Sequence, residues 1–176
     1  MISNDLAAVE PNEQAATSQH GTLRTRPETA ADTAFLALLH DSVKGADFAL
    51  PAVDETMRRQ LLDMQFRAMT LSYRAAVPAG VFQVVTLNET PIGRLITDSG
   101  PDRFHIVYIA LLPEWRNRGL GTTLMTAVLD APRRRGLVCE ATVAVDNLAS
   151  CRLWARLGFT ERRRDLTDIV LEWRPD

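Results

Sequence analysis

The sequence predicts an α/β fold in which a mixed six- to seven-stranded sheet has helices on both faces. Residues 104–112 are nearly all apolar, as a strand covered on both faces should be. A helix with one apolar stripe follows, and residues 137–145 form another apolar strand, so these two strands are expected to be parallel with a right-handed connection. Residues 81–87 and 91–98 flank a polar turn and predict an antiparallel hairpin.

Length and composition predict one domain without a membrane or nucleic-acid partner. The 176 residues are 46% hydrophobic and 24% charged, with a formal net charge of -2. Such a chain buries a core of its own, and its charge does not favour nucleic acid or an anionic membrane. No segment reaches the ~18–20 apolar residues of a membrane span, and the first residues lack a secretory signal, so we expect a cytoplasmic protein. Residues 1–21 predict a mobile tail, and residues 22–176 predict the domain.

The cysteines and the arginine runs do not indicate a separate function. Cys139 and Cys151 lie in apolar segments and are expected to be reduced, buried thiols rather than a disulfide or a metal site, so we expect no bound metal. The runs at residues 133–135 and 162–164 each contain three arginines next to turns. Solvated faces are the common outcome for such runs.

The first half of the domain is predicted to contain one strand and two helices before the hairpin. Residues 22–26 form the strand, and a helix runs from Pro27 to about His40. Asp54 is a suitable N-cap for a second helix, which runs to about Ala76. Two adjacent apolar stripes predict a wide buried face on that helix: Met57, Leu61, Met64 and Ala68 on one, and Leu62, Phe66, Met69 and Tyr73 on the other.

The second half is predicted to alternate strands and helices. Pro113 ends the apolar strand, since proline cannot donate to a sheet. The helix after it has its apolar residues on one stripe: Leu120, Leu124, Met125, Val128 and Leu129. After the next strand, Asn147 caps a last helix that Gly158 ends, and two closing strands cover residues 159–164 and 169–173.

The polar turn at residues 116–121 (RNRGLG) has the chemistry of a phosphate or pyrophosphate site. Gly119 and Gly121 let an incoming group approach the backbone closely. The first N–H groups of a helix have no partner within it, and the helix dipole favours an anion there. Arg116 and Arg118 add planar donors suited to phosphate oxygens. The alternative is a helix start loosened by glycine, with both arginines solvated.

Two common phosphate loops are excluded. The chain has no G-x-x-x-x-G-K-[ST] motif, and Leu124 stands where a dinucleotide-binding fingerprint has its third glycine. A nucleotide hydrolase or a nicotinamide-dependent enzyme is therefore not expected.

Two motifs in the chain resemble those of the GCN5-related N-acetyltransferase (GNAT) superfamily. The first, Arg116-x-x-Gly119-x-Gly121 after IALLPEW, is similar to the acyl-CoA pyrophosphate loop of that superfamily. The second, Asn147-x-x-Ser150-x-x-Leu153-Trp154-x-x-x-Gly158-Phe159, resembles its C-terminal motif. The resemblance implies a single domain with two splayed central parallel strands. It also implies transfer of an acetyl group from acetyl-CoA to a primary amine by direct attack on the thioester.

The resemblance further implies how acetyl-CoA is held. Loop amides and two arginine side chains would hold the pyrophosphate, and backbone near Leu111 and Leu112 would pair with the pantetheine arm. Asn147 would add a side-chain contact, or it is a plain helix cap. The complete predicted set is Leu111, Leu112, Arg116, Asn117, Arg118, Gly119, Leu120, Gly121, Thr122, Asn147 and Trp154.

His105 and Tyr108 are the predicted catalytic residues. In the histone-modifying branch of the family a catalytic glutamate lies eleven residues before the first loop arginine, a position that His105 occupies here. Histidine as a residue type suits a general base, although a strand histidine without a catalytic role is the alternative. Tyr108 faces oppositely to His105 unless a bulge intervenes.

The general acid departs from the family pattern. The tyrosine that usually protonates the CoA sulfur is replaced by Trp154, whose indole is not an acid at neutral pH. Tyr108, Tyr73 or solvent would serve instead, or catalysis is impaired, and Trp154 packs against the cofactor or the core.

Three functions are compatible with these residues. The first is an acetyl-CoA-dependent N-acetyltransferase acting on a small-molecule or peptide amine. The second is a catalytically weak acyl-CoA-binding sensor or regulatory module of the same fold. The third is an anion-binding domain with another ligand. The resemblance also allows a homodimer, because family members often dimerise.

Overall fold

A single eight-stranded mixed sheet organises the chain in the computed structural model, which describes residues 14–44 and 54–175. The strands are β1 (Ala15–Ser18), β2 (Gly21–Pro27), β3 (Val81–Leu87), β4 (Thr90–Ser99), β5 (Arg103–Leu111), β6 (Val138–Ala144), β7 (Thr160–Arg164) and β8 (Asp168–Trp173). Their spatial order is β1-β2-β3-β4-β5-β6-β8-β7. Only β5 and β6 pair in parallel among the described strands; every other neighbouring pair is antiparallel.

Four α-helices cover the two faces of the sheet. They are α1 (Thr33–Lys44), α2 (Glu55–Ala76), α3 (Leu120–Arg135) and α4 (Leu148–Arg156). Leu36 of α1 and Phe66 of α2 pack with Val84 on one face. The apolar stripe of α3 and Trp154 of α4 pack with Val85 on the other face, in the main core. The predicted fold class, a mixed sheet with helices on both faces, is therefore confirmed.

The two parallel strands separate halfway along their length. Their register runs from Arg103 opposite Val138 to Ile106 opposite Ala141 and then stops, whereas β5 continues to Leu111. Beyond this point β6 stays paired with β8 on its other side. The central pair is therefore splayed at the carboxyl end of β5, as the family resemblance implied.

A bulge in β5 changes which side chains share a face. Ile96 pairs with Tyr108 and Thr97 with Ile106, which leaves Val107 without an opposite residue. Phe104 and Ile106 before the bulge, and Leu111 after it, lie in the core on the α3 face. His105 and Tyr108 consequently both lie on the α1–α2 face.

Two predicted boundaries near the N-terminus are wrong. The first helix begins at Thr33 rather than Pro27, because Asp32 binds the Arg26 guanidinium and the Thr29 amide and so fixes a turn there. Residues 15–18 are not part of a tail, because they pair with β2 as an additional edge strand. Residues 1–13, which hold the rest of the predicted tail, lie outside the described chain.

Helix α2 keeps its predicted bounds but buries only one of its two apolar stripes. The Asp54 carboxylate accepts a hydrogen bond from the Met57 amide at 2.8 Å, as expected of an N-cap. Leu62 and Phe66 are buried, whereas Met64 is 63% exposed. Of the other predicted stripe, Met57, Met64 and Ala68 are exposed and Leu61 is half-buried, because the sheet lies on one side of α2 only. No described helix is long and apolar enough to cross a membrane.

Candidate acyl-CoA site

A cleft of about 460 Å³ opens where the parallel strands separate. The end of β5, the loop after it, the start of α3 and one side of α4 form its walls. The lining residues are Val43, Ile109, Ala110, Leu111, Trp115, Arg116, Asn117, Gly119, Gly121, Thr122, Asn147, Ala149, Ser150, Leu153 and Arg156. Seven of the eleven predicted cofactor-binding residues are among these: Leu111, Arg116, Asn117, Gly119, Gly121, Thr122 and Asn147.

The loop before α3 turns sharply because two of its residues adopt left-handed backbone conformations. A short 3₁₀ turn, Pro113–Trp115, follows β5 and ends where the Arg116 amide donates to the Pro113 carbonyl. Asn117 then has φ 58° and Gly119 has φ 76°, a region that asparagine and glycine tolerate best. Gly119 is the N-cap of α3, so the loop delivers the chain directly into the helix.

The amides of this turn are available to a ligand. The first intrahelical bond of α3 runs from the Thr123 amide to the Gly119 carbonyl at 3.0 Å. In the described chain, the amides of residues 117–122 donate to no protein acceptor. These N–H groups lie at the positive end of a 16-residue helix and border the cleft. The turn therefore has the donor set that a pyrophosphate requires.

Gly121 lines the cleft, and the space on the side of its missing Cβ is open. A Cβ added there would lie 3.7 Å from Leu153 of α4, which is ordinary van der Waals distance. A methyl group would thus be accepted by the fold, but any longer side chain would extend into the cleft. The close backbone approach that the sequence suggested at Gly121 fits this geometry.

The two loop arginines have different surroundings. Arg116 lines the cleft, and its Nε donates to the Leu111 carbonyl at 2.7 Å, which ties the loop to the end of β5. Arg118 instead lies with its guanidinium carbon 5.1 Å from the centroid of the Trp115 ring. Arg118 does not line the cleft, so its predicted side-chain contact with a pyrophosphate is not supported by this arrangement.

The two residues predicted to contact pantetheine also differ. Leu111 lines the cleft, and its carbonyl is already the acceptor for Arg116. The Leu112 amide donates to the Ile92 carbonyl at 2.9 Å, and its side chain is buried. The Leu112 amide is therefore not a free donor for the pantetheine arm. Leu120 contributes only a backbone amide, because its side chain is in the core.

Asn147 has both of the roles that the sequence left open. Its Oδ1 accepts from the Ser150 amide at 3.1 Å, which is an N-cap of α4. The same residue lines the cleft beside Ser150 and Leu153. Helical spacing of three places these residues on one side of α4, and this spacing is visible in the sequence itself. Arg156 extends the same line and places a cation at the cleft.

Trp154 requires a correction. Its side chain is 3% exposed and lies in the core, with its ring centroid 4.8 Å from that of Phe159. It does not line the cleft, so the predicted contact with a cofactor does not fit its position. The core alternative is the one that the structure shows.

The two predicted catalytic residues lie on the same face at different distances from the cleft. His105 is in the paired part of β5, opposite Asp98 of β4 and Glu140 of β6. Tyr108 lies in the splayed part, two residues before Ala110, which lines the cleft on the same side of the strand. Its ring centroid is 5.6 Å from that of Tyr73 of α2. Burial raises the pKa of Tyr108 to about 12, so the hydroxyl is protonated at neutral pH.

The described residues contain no group of three or more His, Cys, Asp or Glu side chains arranged to hold a metal ion. Cys139 is buried and Cys151 half-buried, and both are free thiols. Burial raises the pKa of Cys139 to about 12, which makes it a poor nucleophile.

Known proteins share both the sequence pattern and the fold. Residues 50–159 match the model of the acetyltransferase (GNAT) family. An uncharacterized N-acetyltransferase of Methanocaldococcus jannaschii is 28% identical over 100 residues, which cover 52% of this chain and 42% of that protein. The chain therefore matches less than half the length of that relative.

Two solved structures have the same fold at low sequence identity. One is the PaiA N-acetyltransferase of Thermoplasma acidophilum in complex with coenzyme A, with a TM-score of 0.65 and 16% identity over 86% of this chain and 98% of that one. The other is the ribosomal-protein-S5-alanine acetyltransferase of Vibrio fischeri, with a TM-score of 0.60 and 14% identity over 92% of this chain and 97% of that one. With the family model covering more than half of the sequence, the chain belongs to the acetyltransferase (GNAT) family.

Proposed function

We propose that the protein transfers an acetyl group from acetyl-CoA to a primary amine of a small molecule or a protein. The observation that carries the proposal is the row of unpaired amides at residues 117–122, which borders a cleft at the strand separation. The coenzyme A bound to the Thermoplasma relative supports acetyl-CoA as the donor. The name of the Vibrio relative, a ribosomal-protein-S5-alanine acetyltransferase, supports a protein amine as one class of acceptor.

The cofactor's pyrophosphate is placed at the N-terminus of α3. One anion at a helix N-terminus gains only about 0.3–1 kcal/mol, so several convergent donors are needed. The loop amides supply them, and the cleft also contains the cations Arg116 and Arg156. The acyl-pantetheine arm then runs along β5 past Leu111 toward the α1–α2 face.

The amine must lose a proton before it attacks the thioester. An ordinary primary amine has a pKa near 10.4, so deprotonation at pH 7 costs roughly 4–5 kcal/mol. His105 is the proposed base. It lies about 13 Å along the strand from Ile109 at about 3.3 Å per residue, which is beyond the reach of one bridging water, so the proton would have to pass along a chain of waters.

The departing thiolate needs a proton donor other than Trp154, whose indole is buried in the core. Tyr108 is the proposed acid, because it is protonated at neutral pH and lies two residues before Ala110, which lines the cleft, on the same side of the strand. An ordinary thiol has a pKa of about 8.5, so the thiolate leaves readily, but a phenol with a pKa of about 12 gives it a proton only at a cost of about 5 kcal/mol.

A second candidate function is an acyl-CoA sensor that binds without turnover. The buried Trp154, in place of the tyrosine of the family motif, favours it. The two functions share the cofactor site and differ only in chemistry.

Release of free CoA thiol from acetyl-CoA in the presence of an amine panel tests the proposal. The panel contains polyamines, aminoglycosides, single amino acids and peptides with free N-termini. We expect thiol release that depends on both acetyl-CoA and one class of amine, with the acetylated amine detected by mass spectrometry. Tight CoA binding without release for any class favours the sensor, and absence of CoA binding rejects both functions.

A further inference from the structure

An ion pair between Arg94 and Glu28 is almost completely buried below the α1–α2 face. The Arg94 Nε donates to one carboxylate oxygen of Glu28 at 2.6 Å and its Nη2 to the other at 3.1 Å. The two side chains are 2% and 4% exposed. Desolvation makes such a pair a poor source of stability compared with apolar residues of the same size. Stability alone therefore does not explain why this ion pair lies on a strand next to the cleft.

Arg94 lies beside the cleft and faces an aromatic side chain of the proposed mechanism. Its register partner in β5 is Ala110, which lines the cleft. Its guanidinium carbon is 6.0 Å from the ring centroid of Tyr108. Glu28 thus binds two of the guanidinium nitrogens, and the third, Nη1, is buried and has no hydrogen-bond partner in the described chain. The ring of Phe82 also lies against this guanidinium, with its centroid 5.9 Å from the same carbon.

Charged and titratable groups approach Tyr108 from three elements. Arg94 approaches from β4, Arg116 from the loop before α3, and Tyr73 from α2. Burial is the main cause that raises the pKa of Tyr108, and the two cations oppose it. Arg94 is the one of these cations that is buried, so solvent screens it least.

We propose that Arg94 is a positioning residue that stabilises the phenolate formed when Tyr108 gives its proton to the departing CoA thiolate. The inference rests on the proposed acetyltransferase function. In this step the electrons of the thioester C–S bond pass to sulfur, the phenol O–H bond breaks and an S–H bond forms. The phenolate is left beside Arg94 and regains a proton from solvent. A unit charge about 6 Å away changes such a proton-transfer equilibrium about tenfold to hundredfold at intermediate dielectric.

The two tyrosines of the chain make this coupling directly measurable. Tyr73 and Tyr108 are the only tyrosines in the sequence, so the Tyr73→Phe protein has one ultraviolet tyrosinate signal, from Tyr108. At about pH 11, the ratio of phenolate to phenol taken from this signal measures the acidity of the Tyr108 hydroxyl. In this background Arg94→Met should lower that ratio at least about tenfold, and Arg94→Lys should largely restore it.

Glu28→Gln is the matched control. It breaks the same ion pair but keeps the cation, so the phenolate ratio should stay equal or rise. Circular dichroism at the same pH verifies that each variant is folded. An equal fall in Glu28→Gln and Arg94→Met would mean that the pair is only structural and would overturn the inference. Should Arg94→Met fail to fold, a fall in Arg94→Lys or in Glu28→Gln overturns it in the same way.

Turnover provides the second readout. With the amine that gives the highest rate in the panel above, Arg94→Met should lower kcat about tenfold and change the KM for acetyl-CoA less than about threefold, as expected for a group that acts only in the transition state. A rise in KM alone contradicts the inference. If the wild-type protein acetylates no amine, the proposed function fails, and the acid role of Tyr108 fails with it. The tyrosinate comparison then still shows whether Arg94 acts on Tyr108 through its charge or only supports the fold.

Discussion

Val107 determines which side chains of β5 face the substrate side of the sheet. Val107 has no opposite residue in β4, so the alternation of side chains between the two faces shifts by one residue there. His105 and Tyr108 therefore lie on the same face, the α1–α2 face. Without this bulge the two side chains would lie on opposite faces, and only one of them would be near an amine acceptor. The single extra residue thus allows one strand to present both the proposed base and the proposed acid.

His105→Ala tests the role of the base at this scale. If His105 takes the proton of the amine through water, the variant should lose about 100-fold in rate at pH 7. The deficit should shrink as the pH approaches the ordinary amine pKa of about 10.4, because the amine then deprotonates without help. Steady-state rates across this pH range provide the measurement. A deficit that is constant with pH, or no deficit, rules out the base role.

The type of a residue does not determine in which direction its side chain points, and this was the part of the site that the sequence did not predict. The loop Arg116–Gly121 was recognisable from its glycines and arginines, since their chemistry is local. Whether Trp154 points at the cleft or the core depends on the rotation of α4 against the sheet, and Arg118 found a stacking partner in Trp115. Both depend on residues distant in space or on a neighbouring turn, which spacing alone does not encode.

At the scale of elements, hydrophobic periodicity predicts most of the strands and helices correctly. The wrong predictions concern segments whose structure depends on polar contacts or that contain only small residues. Residues 15–18 (AATS) carry no apolar pattern, yet they pair with β2 through a tight turn. The stripe of α2 that contains Met64 has the right spacing for a core face, but the sheet lies against only one side of the helix. The start of α1 depends on a turn held by Asp32.

Asp32→Asn tests the importance of that turn. Hydrogen bonds from Arg26 are the main cause that lowers the pKa of Asp32, so its stabilisation is present above the ordinary aspartate pKa of about 3.9 and is lost as pH falls through the lower native value. We expect the variant to be about 2 kcal/mol less stable in urea at pH 7. The difference should shrink in acid, where the wild-type carboxyl is also protonated.

Asp63→Asn is the control for this measurement. Asp63 pairs with Arg67 on the exposed side of α2, where an ion pair contributes only about 0.3–0.5 kcal/mol. If Asp32→Asn costs no more than Asp63→Asn at pH 7, the turn does not fix the start of α1.

At the scale of the whole molecule, the proposed function depends on one feature of the topology. The parallel pair of β5 and β6 stops after Ile106, and the helices that follow these strands, α3 and α4, enclose the space that opens. The amides at the start of α3 form one wall, the cap of α4 forms another, and the end of β5 leads from them to Tyr108. The fold thereby places the proposed anion site and the proposed proton donor at opposite ends of β5's splayed segment and the loop after it.

Gly121→Glu tests this arrangement most directly, with calorimetry of CoA binding as the measurement. The backbone at Gly121 is not left-handed and its nearest neighbour leaves room for a Cβ, so the variant should fold, while its carboxylate would occupy the phosphate position. Gly100→Glu, in the β4–β5 turn away from the cleft, is the matched control.

We predict that Gly121→Glu weakens CoA binding at least about 100-fold, or about 2.7 kcal/mol, while Gly100→Glu binds like the wild type. A folded Gly121→Glu protein with wild-type affinity for CoA would contradict it, because the amides at the start of α3 would then not hold the pyrophosphate.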